Sequence, residues 1–406
     1  MQSLINRLLM VVLAIAALVI VGLVGWRTAL DHFAGAWTHA PEDAPWVLTD
    51  SAHELVDSAF ADIGKKTVVD YRIDVLSSGQ PLAPGVKVQA QIAADNDKSG
   101  SPLAWLSARI REHAAGIRDA PRADAEYLSR VLRQMQAMPG DYRGWLLARD
   151  AVYGPDGKRD DDATLDYVAN DYVVWLAEQA PDRLTPVVSI HPYRRDALDA
   201  LARWAKAGVK RVSWQPVAQH IDLDDPKVAA FYAALVKHDM VLYLPVGFHS
   251  ADNGASGWIG ASVLRAPLAA GVNTIISIGG ADSGDGRAVM PGLFALLRDP
   301  TLGEHLFIDL AGVLAPAQLN SVLAPLLQHP QFFDHLRYAS GYPEPAIAAA
   351  ISLDALADRG FIDPALIEPL RAIYDVNPML FAFVTLRQVH LPATELTLPA
   401  SVFFRS

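Results

Sequence analysis

The sequence predicts an α/β fold, a (β/α)8 barrel that follows one N-terminal apolar helix. Short runs rich in β-branched residues alternate with longer amphipathic stretches from Lys65 onward. From the third run onward, the centres of these runs recur about every 24 to 32 residues. This spacing is typical of a strand–helix unit, and runs that are apolar on both faces are typical of parallel strands covered by helices.

Eight runs are predicted to be strands. They are Thr67–Leu76, Gly144–Arg149, Thr185–Ile190, Val209–Trp214, Met240–Val246, Val272–Ile278, His305–Leu310 and Leu336–Ser340. Eight strands with their helices in about 320 residues favour a closed barrel over the alternative, an open doubly wound sheet. The acidic, glycine-rich segment Gly279–Gly286 lacks a P-loop lysine. We therefore interpret it as a βα loop rather than a phosphate cradle.

Three of the intervening segments carry helix signals. Asp225 followed by Pro226 is typical of an N-cap and a first helical residue, and Gly208 is typical of a helix end. The apolar residues of each segment recur at helical spacing. They are Leu198, Leu201 and Ala205 in the first segment, Val228, Phe231, Tyr232, Leu235 and Val236 in the second, and Leu319, Val322, Leu323 and Leu326 in the third.

The composition narrows the class of function. The chain has 34 Lys and Arg against 45 Asp and Glu, which is a formal net charge of −11. A balance this acidic argues against nucleic acid as a partner, because phosphate binding needs a basic face. The chain has no cysteine, which excludes thiolate nucleophiles, cysteine-ligated zinc and iron–sulfur clusters.

The N-terminal segment is predicted to be a membrane anchor. Leu8–Gly25 is 18 residues without a charge, and at about 1.5 Å per residue such a helix nearly spans a hydrocarbon core of roughly 30 Å. Arg7 and Trp26 flank it, as expected at the membrane surfaces. A cleaved signal peptide is the alternative, but the A-x-A site at residues 34–36 lies about ten residues beyond the run.

The anchor divides the chain into three predicted parts. They are a transmembrane anchor at residues 1–28, a juxtamembrane linker at residues 29–64 and a barrel domain at residues 65–406. The positive-inside rule favours an N-terminus on the cytoplasmic side. We therefore predict a single pass through the inner (cytoplasmic) membrane, with the soluble barrel domain in the periplasm and the membrane as a partner.

Six segments in a fixed order carry a likeness to a known family. They are Val68–Leu76, Val187–Pro216, Phe231–Tyr232, Leu306–Gly312, Arg337–Pro345 and Asn377–Phe381. In these segments the chain resembles the amidohydrolase superfamily, in its amidohydrolase-related branch of metal-dependent TIM-barrel hydrolases. The resemblance implies a TIM barrel with chemistry at the carboxyl ends of its strands.

The positions that hold metal in that family are changed here. The family has a His-x-His pair after strand one, a Lys or Glu after strand four, single histidines after strands five and six, and an aspartate after strand eight. The corresponding residues are Arg72, Asp74, Ser213, Pro245, Ile278 and Gly341. Because only Asp74 among them is a good ligand, we expect no metal and no other cofactor. We also predict an Arg72–Asp74 ion pair in the volume of the metal, since both residues point to one side of a strand.

Four other polar residues at strand ends are weak catalytic candidates. They are Asp150, His191, His249 and Asp309. We interpret His191 as a hydrogen-bonded structural histidine in preference to a general base, and Asp309 as an acceptor of backbone N–H groups. His249 with Asp74 and Asp309 is the alternative, a displaced metal site.

Two functions follow from these residues. The first is a catalytically degenerate, membrane-tethered barrel that acts as a scaffold or accessory subunit of a membrane-protein complex, or as partner to an active paralogue. The alternative is a divergent hydrolase of amide, ester or lactone bonds. It would use a displaced metal or a metal-free acid–base site around His191, Asp150 and His249.

Overall fold

The fold is a closed barrel of eight parallel strands. The computed structural model describes residues 47–76, 102–117, 122–164, 167–250, 256–280 and 289–405, together with Gly25. The barrel strands are β1 (Thr67–Asp74), β2 (Tyr142–Leu147), β3 (Leu184–Val187), β4 (Arg211–Ser213), β5 (Val241–Ser250), β6 (Thr274–Gly280), β7 (Leu306–Asp309) and β8 (Leu336–Arg337). Each overlaps a predicted strand, so the predicted (β/α)8 architecture is confirmed.

Two seams close the ring outside the regular ladders. A parallel bridge between Val188 and Val212 joins β3 to β4, and a parallel bridge between Ile73 and Tyr342 joins β1 to the segment after β8. At the second seam, the Tyr71 N–H donates to the Tyr338 carbonyl at 3.0 Å. The other neighbours pair in parallel through regular ladders.

Short strands extend the barrel at three places. Val152–Tyr153 and Arg159–Asp160 form a small hairpin after β2. Ser256–Ile259 pairs antiparallel with the end of β5. Phe404–Arg405 pairs antiparallel with the start of β1 and so brings the C-terminal segment to the barrel.

Thirteen α-helices of the described ranges surround or extend the strands. They are α1 (Asp50–Phe60), α2 (Pro102–Ala114), α3 (Ala123–Gln136), α4 (Asn170–Glu178), α5 (Ala197–Lys206), α6 (Pro216–Gln219), α7 (Ala229–Lys237), α8 (Arg265–Ala269), α9 (Met290–Arg298), α10 (Ala324–Leu327), α11 (Leu353–Asp358), α12 (Ile367–Val376) and α13 (Pro378–Gln388).

Helix α1 lies inside the predicted juxtamembrane linker 29–64. Its N-cap Thr49 accepts a hydrogen bond from the Ala52 N–H, and Leu55, Val56 and Ala59 are buried. The helix packs against α12 and α13. The packed body therefore begins before residue 65, because the apolar side of α1 covers helices that come from the other end of the chain.

The predicted helix start and helix end are present, but two residues of the predicted apolar stripes are not buried. The Asp225 side chain accepts the Lys227 N–H ahead of α7, and Gly208 follows α5 with φ +87°. Leu198 and Val236, which we counted as core residues, are 47% and 45% exposed. In α5, Trp204 is buried instead of Leu198. In α7, Phe231, Tyr232 and Leu235 are buried as predicted.

A small apolar cluster fills the barrel itself. It consists of Tyr71, Trp145, Leu147, Val187, Tyr243, Ile275, Ala311 and Ala339. Near the amino ends of the strands, Arg211 stacks on Trp145 at 4.5 Å and Arg337 stacks on Phe307 at 4.1 Å. The barrel interior is therefore a packed core and not a channel.

The predicted localisation is wrong for the part of the chain that the structure describes. Within those ranges, no helix is both long enough and apolar enough to cross a membrane. This finding overturns the single pass through the inner membrane. The predicted span Leu8–Gly25 lies, apart from Gly25, outside the described residues. The predicted loop Gly279–Gly286 lies outside them beyond Gly280.

Asp70 stabilises the seam between β1 and β8 through hydrogen bonds. Its carboxylate accepts the Ser340 N–H at 2.8 Å, the Arg72 N–H at 3.1 Å and the Tyr142 hydroxyl at 2.8 Å. Asp70 is fully buried, and burial raises its pKa from 3.8 to about 6 against these hydrogen bonds. A buried carboxyl therefore joins three strands where the regular ladder is interrupted.

This burial predicts a pH-dependent effect of Asp70→Asn. Because the folded-state pKa is above the ordinary value, the stability that this carboxyl contributes is complete below about pH 4 and is lost as the pH rises towards about 6. Asparagine does not ionise. The free energy of unfolding of the variant relative to the unmodified chain should therefore rise by up to about 3 kcal/mol between pH 4 and pH 7.

Urea unfolding at several pH values measures this difference. Asp182→Asn, at an exposed carboxyl, is the matched control and should show no comparable trend. A difference for Asp70→Asn that does not change with pH would contradict the buried-charge explanation.

Candidate functional site

A β-bulge in β1 decides which residues face the inside of the barrel. Asp70 pairs with Gly144 and Ile73 pairs with Leu146, so two residues of β1 lie opposite the single residue Trp145. The extra residue shifts the alternation of side chains by one. Tyr71 points into the barrel below the bulge, and Arg72 and Asp74 point into it above the bulge.

Arg72, Asp74 and Ser277 meet at the carboxyl ends of the strands, and we call this place the barrel mouth. The Arg72 Nη2 lies 2.8 Å and its Nε 3.1 Å from the Asp74 Oδ2. The Arg72 Nη1 donates to the Ser277 Oγ at 3.1 Å. The side chains of Arg72 and Asp74 are 26% and 18% exposed. The predicted ion pair is therefore present, and Ser277 of β6 anchors its other side.

Tyr243 and Asp309 lie deeper in the barrel than Arg72. The Tyr243 hydroxyl donates to the Asp309 carboxylate, which also accepts the Ala311 N–H at 3.0 Å. Both side chains are buried. Burial raises the pKa of Asp309 to about 6, although the nearby Arg72 and these hydrogen bonds favour the charged form. Asp309 is thus held by its neighbours and does not reach the surface.

Arginines dominate the electrostatics around Asp74. Burial by itself raises the pKa of Asp74. Arg72, followed by Arg149 and Arg111, lowers it by a larger amount, so the pKa of Asp74 lies below its ordinary value. The pKa of Arg72 is raised well above its ordinary value, since Asp74, Tyr243 and Asp309 outweigh the effect of burial. The ion pair therefore stays charged throughout the physiological pH range.

Ser213 ends β4 and Pro245 lies within β5, and neither contacts the Arg72–Asp74 pair. The Ser213 hydroxyl donates to the Ala148 carbonyl at 2.7 Å, so it ties β4 to β2. Pro245 pairs with Ser277 in the ladder between β5 and β6. Neither side chain offers a free donor or acceptor to a ligand.

Ile278 does not face the mouth, contrary to its assignment as a metal-ligand position. It is fully buried in the large core between strands and helices. Ser277 is the residue of β6 that points inward, as its hydrogen bond with Arg72 shows. Because side chains alternate along a strand, an error of one residue moves the position to the opposite face.

Gly341 lies where a side chain has little room. Its φ is +67°, and a Cβ at this position would lie 3.1 Å from the Ala311 Cβ. Its N–H donates to the Arg72 carbonyl at 3.1 Å. An aspartate at this position would therefore require backbone strain as well as a shift of Ala311.

His191 and Asp150 form a structural junction between β2, β3 and β4. The His191 Nδ1 accepts the Tyr193 N–H at 3.2 Å, and its Nε2 faces the Gln219 carbonyl at 2.8 Å. Asp150 accepts the backbone N–H of His191 at 2.9 Å and pairs with Arg194 at 3.0 Å. His191 is fully buried, and burial lowers its pKa. Both ring nitrogens are occupied, which supports the structural interpretation over a general base.

The displaced metal site of Asp74, Asp309 and His249 is not assembled in the described residues. Asp74 is bound to Arg72, and Asp309 is bound to Tyr243. The backbone of His249 pairs with Gly257 above the mouth, while its side chain lies outside what the structure describes.

The donors at the mouth do not fit a divalent metal. Among the described residues Asp74 is the one carboxylate there, and a guanidinium already occupies both of its oxygens. Ser277 offers a neutral hydroxyl that accepts from the same guanidinium. The described residues contain no group of three or more His, Cys, Asp or Glu arranged to hold a metal ion.

A separate cavity of about 140 Å³ lies between β8 and α13. Its lining includes Leu314, Tyr338, Ser340, Ala382 and Leu386, but neither Arg72 nor Asp74. Its walls are mainly apolar, and Glu344 contributes a carboxylate to the lining.

Tyr243 and Ser277 are the site residues that the sequence did not reveal. The alternation of side chains along a strand could have indicated both residues. Tyr243 lies two residues before Pro245 and so shares its face, and Ser277 is next to Ile278 and so lies on the opposite face. The missing information was which face of each strand points inward. That choice depends on the register between neighbouring strands, which one strand alone does not specify.

Comparison with protein families agrees with the central part of the fold. A family model described as Amidohydrolase matches residues 146–313, which is less than half of the chain and runs from β2 to just past β7. No curated protein is significantly similar to the chain. The amidohydrolase likeness is thus established for this region, while β1 and β8 lie outside it.

The solved structures that match the chain have low sequence identity to it. An uncharacterised TIM-barrel protein from Bordetella bronchiseptica is 17% identical over 71% of this chain and 94% of its own, with a TM-score of 0.44. The 2,6-dihydroxybenzoate decarboxylase from Rhizobium is 14% identical over 72% and 94%, with a TM-score of 0.39. A 5-carboxyvanillate decarboxylase from Novosphingobium aromaticivorans with bound manganese is 15% identical over 78% and 94%, with a TM-score of 0.42.

The crowding at Gly341 predicts a larger effect of alanine there than at another left-handed glycine. Gly208 has φ +87° with no atom within 4 Å of its Cβ position, so Gly208→Ala isolates the backbone strain. We expect Gly208→Ala to lower the free energy of unfolding by about 1 kcal/mol and Gly341→Ala by about 2 kcal/mol. Urea unfolding measures both. Equal losses would mean that Ala311 yields without penalty.

The inward position of Ser277 predicts how engineered ligands behave. Arg72→His with Ser277→His places two imidazoles beside Asp74, whereas Arg72→His with Ile278→His buries the second imidazole among the helices. The first pair should bind Zn²⁺ at least about tenfold more tightly, because a site needs three converging donors. Competition with a chromophoric chelator gives both affinities. Equal affinities would contradict our assignment of the inward face of β6.

Proposed function

We propose that this chain is a catalytically degenerate barrel of the amidohydrolase type, which binds a ligand at its mouth and does not catalyse metal-dependent hydrolysis. The Arg72 guanidinium is the observation that carries the proposal. Asp74 holds it at 2.8 Å and Ser277 at 3.1 Å. It lies at the end of β1, where the resembled family has the first histidine of its metal-binding pair.

Electrostatic repulsion supports the proposal. A divalent cation about 4 Å from a guanidinium is repelled by up to about 8 kcal/mol at an effective dielectric constant of about 20. Solvent reduces this value, since a quarter of the Arg72 side chain is exposed. The donors that would have to overcome the repulsion are one paired carboxylate and one hydroxyl, where a structural or catalytic zinc has three or four good ligands.

The absence of a free base among the described candidates also supports the proposal. Without a metal, the pKa of an attacking water stays near about 15.7, so hydrolysis needs a general base in contact with it. His191 has both ring nitrogens in hydrogen bonds, and Asp150 is paired with Arg194. The chain then serves as a binding or accessory protein. That its partner is an active paralogue stays a prediction.

Metal content and turnover test the proposal together. The full chain is incubated with Zn²⁺ or Mn²⁺, desalted, and analysed for metal and for hydrolysis of an ester, an anilide and a lactone. We expect less than about 0.1 metal ion per chain and no rate above buffer, because the mouth lacks three converging donors. Chelator should leave the melting temperature unchanged, since no ion contributes to folding.

Two results would contradict the proposal. One is stoichiometric metal whose removal by Asp74→Asn also removes turnover, which would reveal a functional metal site at the mouth. The other is metal-independent hydrolysis that His191→Ala abolishes while the variant keeps its melting temperature. Arg195→Ala, at an exposed arginine of the same βα segment, is the matched control for the second result.

A further inference from the structure

We propose that the barrel mouth binds a small carboxylate, held by the two terminal nitrogens of Arg72. This inference rests on the proposed function, because it assigns a ligand class to the same mouth. It is carried by the hydrogen bonds that Arg72 leaves open, by the charges around it and by its exposure.

Arg72 has two N–H groups to spare. A guanidinium carries five N–H donors. Nε and one hydrogen of Nη2 are directed to Asp74, and one hydrogen of Nη1 is directed to Ser277. The second hydrogen of each terminal nitrogen has no acceptor among the described residues. The Arg72 side chain is 26% exposed, so part of it is in contact with solvent at the mouth.

The guanidinium is held in place before a ligand arrives. Asp74 binds the edge formed by Nε and Nη2, and Ser277 binds Nη1 from β6, across the barrel mouth. A side chain anchored at both ends loses little freedom on binding. Arg72 therefore presents a fixed planar donor group, which suits the two oxygens of a carboxylate.

Charged side chains of both signs lie around Arg72 and Asp74. Arg72, Arg149 and Arg111 act on Asp74, and Asp309 is the second carboxyl in range of Arg72. Asp70 acts in turn on Asp309, so three arginines face three carboxyls among the described residues. The chain as a whole has a formal net charge of −11. Arginines grouped at one place on so acidic a chain can attract an anion, and an anion with a single charge is repelled least by Asp74.

A carboxylate fits these features better than a phosphate does. Its two oxygens lie in one plane, as the N–H donors of a guanidinium do. A phosphate dianion would place two negative charges beside Asp74, whose own carboxylate lies 2.8 Å from the guanidinium, whereas a carboxylate places one. Phosphate binding is therefore a separate arm of the test.

Ligand-observed NMR with the full chain tests the inference. The probes are acetate and butyrate, their neutral amides acetamide and butyramide, and inorganic phosphate. We expect butyrate to bind with a dissociation constant below about 10 mM, and butyramide and phosphate to bind at least about tenfold more weakly. Equal binding of butyrate and butyramide, or stronger binding of phosphate, would overturn the assignment of a carboxylate.

Arg72→Lys separates the donor geometry from the charge. Lysine keeps the positive charge but loses the planar pair of N–H groups, so butyrate affinity should fall at least about tenfold. Arg211→Lys is the matched control. Arg211 is also in the barrel but stacks on Trp145 near the amino ends of the strands, so butyrate affinity should not change. Unchanged affinity in a folded Arg72→Lys variant would overturn the inference.

A measurement on the unmodified chain covers the case in which Arg72→Lys does not fold. Phenylglyoxal modifies arginines, and peptide mapping by mass spectrometry resolves Arg72 from the exposed Arg195. Saturating butyrate, but not butyramide, should slow the modification of Arg72 at least about threefold and leave Arg195 unaffected, because the ligand covers the Arg72 terminal nitrogens. Equal modification rates with and without butyrate would overturn the inference.

The two proposals fail by different results. A stoichiometric metal with turnover refutes the proposed function whether or not butyrate binds. Absence of both metal and butyrate binding leaves the degenerate barrel in place and refutes only the carboxylate site.

Discussion

The arrangement of the mouth depends on the bulge at Tyr71 and Arg72 in β1. Without the extra residue, strict alternation from Val69 and Tyr71 would turn Arg72 and Asp74 outward to the helices. The bulge sets two residues against Trp145. Tyr71 therefore belongs to the interior apolar cluster, while Arg72 and Asp74 lie above it. Both the packing below and the ion pair above follow from this one irregularity.

Hydrogen bonds at the seam between β1 and β8 compensate for the irregular pairing of β1. The regular ladder is interrupted there, and Asp70 replaces it with hydrogen bonds from Ser340, Arg72 and Tyr142. A buried carboxyl without partners would destabilise the fold, whereas one with three donors joins the strands it touches. Barrel closure and the position of Arg72 are in this way parts of the same local structure.

The carboxyls inside the barrel are held by neighbouring donors. Asp309 accepts from Tyr243 and from the Ala311 N–H, and Arg72 pairs with Asp74 and Ser277. In a metal-dependent barrel, a cation compensates the carboxylates at this place. Here an arginine side chain supplies the positive charge. The Asp74 carboxylate is in this way compensated by a side chain of the same strand.

The family likeness covers the scaffold better than it covers the mouth. The matching region, residues 146–313, contributes Tyr243, Ser277 and Asp309. Arg72 and Asp74 come from β1, before it, and Gly341 follows β8, after it. Arg72, Asp74 and Gly341 therefore lie outside the matched region, near the seam between β1 and β8 where the barrel closes.

The sequence by itself determined the eight strands, the helix starts such as Asp225, and the Arg72–Asp74 pair, because each rests on local periodicity or on residues close in the chain. Only the tertiary structure decided that Ser277 rather than Ile278 faces inward, that α1 packs on the C-terminal helices, and that His191 is fully hydrogen-bonded. These features join residues far apart in sequence, as Arg72 and Ser277 are. Their contacts depend on strand register and barrel closure, which no single segment specifies.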